Sequence, residues 1–231
     1  MSTEILISLV TLIFLEIILG IDNIIFISLL SDKLPADTRK KARLIGLSLA
    51  LVLRLILLAG ISWILKLDQT LFTISEYSFS GKNLILIAGG LFLLYKSSKE
   101  IFEKTEDKHL QESTKTKTSF NSTIGQILLL DLVFSVDSII TAVGLVDELW
   151  IMYVAVIVSI SIMLLIAKNI SNFINKHPSL KILALAFLMM IGLTLIAEGF
   201  KLHIPKAYIY FSMAFSFFVN AAGTKYDFIS S

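Results

Sequence analysis

The sequence predicts an all-α membrane protein of seven transmembrane helices, a 3+3 inverted repeat with one additional C-terminal helix. Three observations predict it. Of 231 residues, 56% are hydrophobic and only 16% charged, with a mean hydropathy of +0.85, a balance far from that of soluble domains. Near-uninterrupted apolar runs of about 16 to 26 residues alternate with short polar stretches, and a helix needs ~20 apolar residues to cross a bilayer. An acidic motif in the first run recurs in the fourth. The net charge of +2 gives nucleic-acid binding no electrostatic support. The absence of cysteine removes disulfides and thiolate chemistry together.

The spans fall at about 5 to 30, 44 to 65, 83 to 97, 124 to 146, 151 to 167, 180 to 198 and 206 to 222. The first has no basic leader and contains Glu16 and Asp22, so it reads as a retained span rather than a signal peptide. The third is the weakest. Its apolar core, Leu84 to Tyr95, is short for a crossing and invites help from Leu71 to Phe79 or extension towards Phe102. The stretch from Lys96 to Thr123 is the one long polar connection, read as a cytoplasmic linker that is helical at first and disordered later. The segments are thus a first three-span repeat over 1–103, a cytoplasmic linker over 104–123, a second, inverted repeat over 124–200, and the seventh span with its tail over 201–231.

Cations set the direction of threading, because Lys and Arg in short loops stay on the cytoplasmic side. Fifteen of the 20 fall after spans 1, 3, 5 and 7, while the opposite loops hold only Lys66, Lys82, Lys201 and Lys206; Arg54 lies inside span 2. The expectation is a multi-pass protein of the cell membrane with its N-terminus outside and its C-terminus in the cytoplasm.

The repeat aligns Leu15-Glu16 through Asp22-Asn23 with Leu130-Asp131 through Asp137-Ser138, and more weakly Glu100 with Glu198 and Phe102 with Phe200. These matches link spans 1 and 4 and spans 3 and 6, so the unit has three spans. Two copies of an odd-span unit enter the membrane from opposite sides. Glu16, Asp22, Asp131 and Asp137 lie within apolar spans, where an Asp at the helix centre costs ~2.5 to 3.5 kcal/mol. They must therefore face the protein interior, and inversion can bring both pairs to one midplane cavity. On a regular helix Glu16 and Asn23 share a stripe, as do Asp131 and Ser138, whereas the second acid of each pair points about 120° away. Gly20 and Ser135 lie between the acids, so a kink or break there is expected to re-aim Asp22 and Asp137.

The ligand set Glu16, Asp22, Asn23, Asp131, Asp137 and Ser138 is made of oxygen donors, which suits hard divalent cations such as Mg, Ca and Mn. His109, His177 and His203 all fall in loops. Burial favours the neutral form of a carboxyl, which makes protons a natural exchange partner for the metal. Arg54 reads equally as the counter-ion of the cavity or as a structural pair; Ser135, Glu100 and Glu198 are weaker supporting or gating candidates. No His, Cys or activated Ser constellation lies at membrane depth, so the chain is not expected to be an enzyme. No prosthetic group is implied. Beyond the bilayer, a divalent cation and protons, partners such as export machinery or a second copy leave no mark in the sequence.

The two acidic motifs, Gly89-Gly90-Leu91-Phe92-Leu93-Leu94-Tyr95 with Glu100, Phe187-Leu188-Met189-Met190-Ile191-Gly192 with Glu198-Gly199, and Ile204-Pro205-Lys206 with Tyr208-Ile209-Tyr210-Phe211 resemble the TerC family of integral membrane proteins over nearly the whole chain. That resemblance implies seven spans and a distant relation to LysE-like transporters. It implies a role in manganese efflux or in the metal loading of exported proteins, with tellurium resistance attached to some members by name. It favours Mn over Mg or Ca and carries the six ligand residues over as the cation site. The alternative it implies is a membrane-protein assembly or metallation factor without transport of its own. Two departures stand out: the nucleotide-sensing-type domains of larger members are not in this chain, and Asn220 stands where the family pattern has an acid near the end of span 7.

Overall fold

A computed structural model describes residues 3–74, 77–106, 119–146 and 148–230; the remaining residues and the side chains of residues 22, 36, 74, 77, 104, 106, 178, 206 and 220–230, Asp22 and Asn220 among them, lie outside the described ones. The described chain is built from α1 (Thr3–Ser31), α2 (Ala36–Ala59), α3 (Ile61–Lys66), β1 (Thr70–Ile74), β2 (Tyr77–Ser80), α4 (Gly81–Glu106), α5 (Phe120–Val143), α6 (Leu149–Lys176), α7 (Pro178–Gly199) and α8 (Lys206–Ser230). Among the described residues, five helices are long and apolar enough to cross a membrane: α1, α2, α5, α6 and α7. In α8 the apolar stretch is shorter, Ala207–Val219. In α4 a twelve-residue apolar core is flanked by Lys82, Lys96, Lys99, Glu100 and Glu103. An all-α membrane protein is what these helices make. The expected count of seven spans exceeds these five by α4 and α8.

Local chemistry sets the element boundaries. Pro35 opens α2, its carbonyl accepting the N–H groups of Thr38 (2.9 Å) and Arg39 (3.2 Å), with Asp37 complementing the positive helix end. Pro178 occupies the first turn of α7, where its missing N–H costs nothing. The far end of α7 closes in a Schellman arrangement: Leu202 N–H donates to Ala197 O and Lys201 N–H to Glu198 O, both at 2.9 Å. That geometry puts Lys201 at φ 61°, a left-handed conformation for which glycine is the usual residue.

Two expectations need correction. Span 2 does not run unbroken to Leu65: Gly60 ends α2, and α3 starts afresh one residue later. Leu71 to Phe79 do not extend a helix. The described residues on either side of 75–76, β1 and β2, pair as an antiparallel hairpin in which Thr73 faces Ser78 and Phe72 faces Phe79, the two rings 5.5 Å apart. Thr, Ile, Phe and Tyr are β-formers, and cross-strand aromatic pairs stabilise such ladders.

The chain packs as two compact units that do not follow its halves. The first contains α1 to α3, the hairpin, α5 and most of α6; the second contains nearly all of α4, together with α7 and α8. Each unit therefore draws on both copies of the expected repeat. Within the second, α4 and α7 touch backbone to backbone. A Cβ at Gly90 would lie 2.5 Å from Gly192 O, and one at Gly192 would lie 2.9 Å from Gly90 O. Asn83 Nδ2 donates to Gly199 O at 2.7 Å. Small residues that admit such approach are the usual cement of membrane helices.

Candidate functional site

The first unit holds the buried charge. Its core is apolar on every helix, with Leu12, Ile24, Leu47, Leu58, Leu130, Val136, Met152 and Ile160 all enclosed. Among these, Glu16 of α1, Arg54 of α2 and Asp131 of α5 are 2%, 3% and 5% exposed. Charged groups so enclosed are tolerated only when paired. Arg54 supplies the pairing: Nη1 lies 2.6 Å from Glu16 Oε2, and Nη2 and Nε lie 3.0 and 3.3 Å from Asp131 Oδ1. Two more donors complete the set. Asn23 Nδ2 reaches Asp131 Oδ1 at 3.3 Å, and Ser135 Oγ reaches Asp131 Oδ2 at 3.3 Å. The guanidinium fork suits this role, since its donors spread in a plane and can serve two carboxylates at once.

Helical geometry explains which acids meet. Glu16 and Asn23 lie on one stripe of α1 and both face the Arg54–Asp131 pair, as their spacing requires. Asp137 follows Asp131 by six residues on α5 and so points elsewhere. Its Oδ1 lies 3.4 Å from Lys82 Nζ, and its backbone carbonyl accepts Thr141 Oγ1 at 2.9 Å. The expected break between the acids is absent: α1 is continuous through Gly20 and α5 through Ser135. Gly20 has another purpose. A Cβ there would overlap Met163 Cε and Sδ, so glycine admits the Met163 side chain of α6 against α1.

The predicted residues thus separate. Glu16, Asn23, Asp131 and Ser135 gather around Arg54, whereas Asp137 sits with Lys82. Ser138 is buried and turns its hydroxyl to Ser135 O at 3.3 Å. Glu100 and Glu198 belong to the second unit, on α4 and α7. The Asp22 side chain lies outside the described residues. Among the described residues, no three His, Asp or Glu side chains draw into a group that could hold a metal. Beside Glu16 lies a small recess lined by Leu12, Leu58, Ile139, Met152, Ala155 and Val156. Glu16 is the one carboxylate in its lining, and its other walls are apolar.

Lys82 is the residue that sequence reasoning passed over. It stands at the start of a helix, where a lysine ordinarily snorkels to the interface. The available signal was its rarity: it is one of four cations in loops that otherwise lack them.

The chain matches the family model described as "Integral membrane protein TerC family" over residues 1–230. It is 52% identical over 212 residues to the UPF0053 inner membrane protein YgdQ of Escherichia coli (strain K12), covering 91% of this chain and 89% of that protein. A UPF0053 protein of Haemophilus influenzae is 50% identical over 215 residues, covering 93% and 91%. The UPF0053 inner membrane protein YoaE of Escherichia coli (strain K12) is 49% identical over 221 residues; the match takes in 95% of this chain but only 43% of YoaE, which is more than twice as long. No solved structure matches the chain.

Proposed function

Since the chain belongs to the integral membrane protein TerC family, we propose that it transports divalent cations across the inner membrane, manganese outward in particular, in exchange for protons. The observation that carries this reading is the presence of three buried carboxylates, Glu16, Asp131 and Asp137, on helices long and apolar enough to span a bilayer. With Arg54 and Lys82 as their ion-pair partners, these five side chains sum to one negative charge when all are ionised. Asp22, six residues beyond Glu16 on α1, adds a fourth acid to the same pair of helices. A dication entering such a region meets oxygen donors and a charge deficit that favours it.

In this scheme α1 and α5 carry the ligands, drawn from Glu16, Asp22, Asn23, Asp131, Asp137 and Ser138. Arg54 balances the inner pair while no cargo is bound, which limits the cost of an empty acidic site in a low-dielectric core. The seven-span, inverted arrangement with the N-terminus outside supplies alternating access by exchanging the roles of the two repeats. The inner-membrane setting follows the names of the relatives YgdQ and YoaE.

Metal flux distinguishes this from a role in membrane-protein assembly. Purified protein in liposomes should carry Mn²⁺ down a gradient, and Asp137→Asn should lower the rate at least tenfold. Cells lacking the protein should accumulate manganese. An absence of flux together with unchanged cellular manganese and tolerance overturns transport and leaves the assembly role.

A further inference from the structure

Asp137 and Asp131 sit on the same helix, but their cations differ in kind. The Arg54 side chain is 4% exposed and bound to two carboxylates, with Asp131 further engaged by Asn23 and Ser135. The Lys82 side chain is 21% exposed, and its Nζ lies 3.4 Å from Asp137 Oδ1. Its main chain is fixed where α4 begins: Lys82 N–H donates to Leu67 O at 2.9 Å, and Gly81 lies so close to Leu67 that a Cβ would come within 3.0 Å of Leu67 Cδ2. The ammonium thus sits on a flexible four-carbon stem with a pinned root and a partly accessible head. A lysine ammonium is a compact, strongly hydrated charge that exchanges partners without the fixed planar geometry of a guanidinium.

We propose that Lys82 is a tethered competitor of the transported cation at Asp137: its ammonium takes the carboxylate when the ion leaves and so speeds release at that end of the pathway. The proposal rests on the transport reading above. A dication reaching Asp137 displaces the ammonium into solvent, where rehydration offsets the lost ion pair. When the dication departs, the ammonium returns from a distance set by its own stem, at an effective concentration no free ion matches. Arg54 cannot act in this way, because it is enclosed and has no solvent to withdraw into. Lys82 therefore weakens the hold of Asp137 on its cargo.

The test uses the full chain in lipid nanodiscs, with free Mn²⁺ measured by its electron paramagnetic resonance signal, and the same proteins in liposomes for flux. Lys82→Gln should bind Mn²⁺ about five- to tenfold more tightly than wild type and show a lower half-saturating concentration with a lower maximal flux. In an Asp137→Asn background the same substitution should change affinity less than twofold, since the competition has lost its object. Unchanged affinity in Lys82→Gln, with Asp137→Asn still weakening binding, overturns the competitor and leaves transport standing. Mn²⁺ binding that neither wild type nor any variant shows overturns the transport reading, and this proposal with it. Lys82→Arg, which keeps the charge, should stay nearer to wild type than Lys82→Gln; equal effects of the two reduce Lys82 to a packing residue and overturn the proposal.

Discussion

Replacing Arg54 with Met keeps much of the side-chain volume and removes the charge that joins α1, α2 and α5. The consequence follows from the contacts. Glu16 and Asp131, 2% and 5% exposed, lose donors at 2.6 and 3.0 Å, and two carboxylates that shared one cation are left facing each other. Breaking a buried pair in this way costs about 3 to 5 kcal/mol, because the abandoned charge has no water to return to. Asn23 and Ser135 still donate to Asp131, so Glu16 should bear most of the damage. Arg54→Met should therefore destabilise the purified protein by about 3 to 5 kcal/mol, and Glu16→Gln added to it should recover at least ~1 kcal/mol. Reversible unfolding in mixed micelles, followed by far-ultraviolet circular dichroism over a denaturant series, measures both. A loss below about 1 kcal/mol for Arg54→Met, or a double variant less stable than the single, refutes the idea that the guanidinium is what makes these acids tolerable.

Two packing predictions use glycines of different kinds. Gly90→Ala drives a methyl against the backbone of Gly192 and should cost about 1 to 3 kcal/mol in the same unfolding assay, whereas Gly20→Ala meets only the end of Met163 and should cost less than about 1 kcal/mol. Equal costs would contradict the close α4–α7 approach. At the end of α7, Lys201→Gly should stabilise the protein by about 1 kcal/mol, since it relieves a left-handed φ of 61° at a position that keeps its Schellman bonds; a loss of stability there would show that the Lys201 side chain matters more than its backbone.

Charge in an apolar run was the most legible feature of the sequence. Glu16, Asp131 and Asp137 stand out against their neighbours because a bilayer makes them expensive, and the structure buries all three. Their partners were less legible. Arg54 left two readings open because pairing depends on which helices pack together, and periodicity along one helix carries no information about its neighbours. The hairpin escaped because Leu71 and Phe79 are as apolar as membrane residues; only their β-forming neighbours mark the difference. Gly20 illustrates a further limit. A glycine midway between two acids reads as a weak point in the helix, yet its missing side chain accommodates Met163 and leaves the helix whole. With the helix regular, Asp131 and Asp137 diverge as the 100° rotation per residue dictates, and the single cavity expected from the sequence resolves into two differently paired acids among the described residues.

The Glu16–Arg54–Asp131 arrangement also has a chronology. Arg54 follows Glu16 by 38 residues, and Asp131 follows Arg54 by 77. During synthesis at ~5 to 20 residues per second, α1 and α2 are present for seconds before α5 emerges. In that interval the acid and the base of the first two helices can enter lipid as a neutral couple, sparing the insertion machinery two separate charges. When α5 arrives, its aspartate finds a cation already at depth. The ion pair that steadies the finished protein thereby lets α1 and α2 serve as the acceptor for α5, the helix that emerges later.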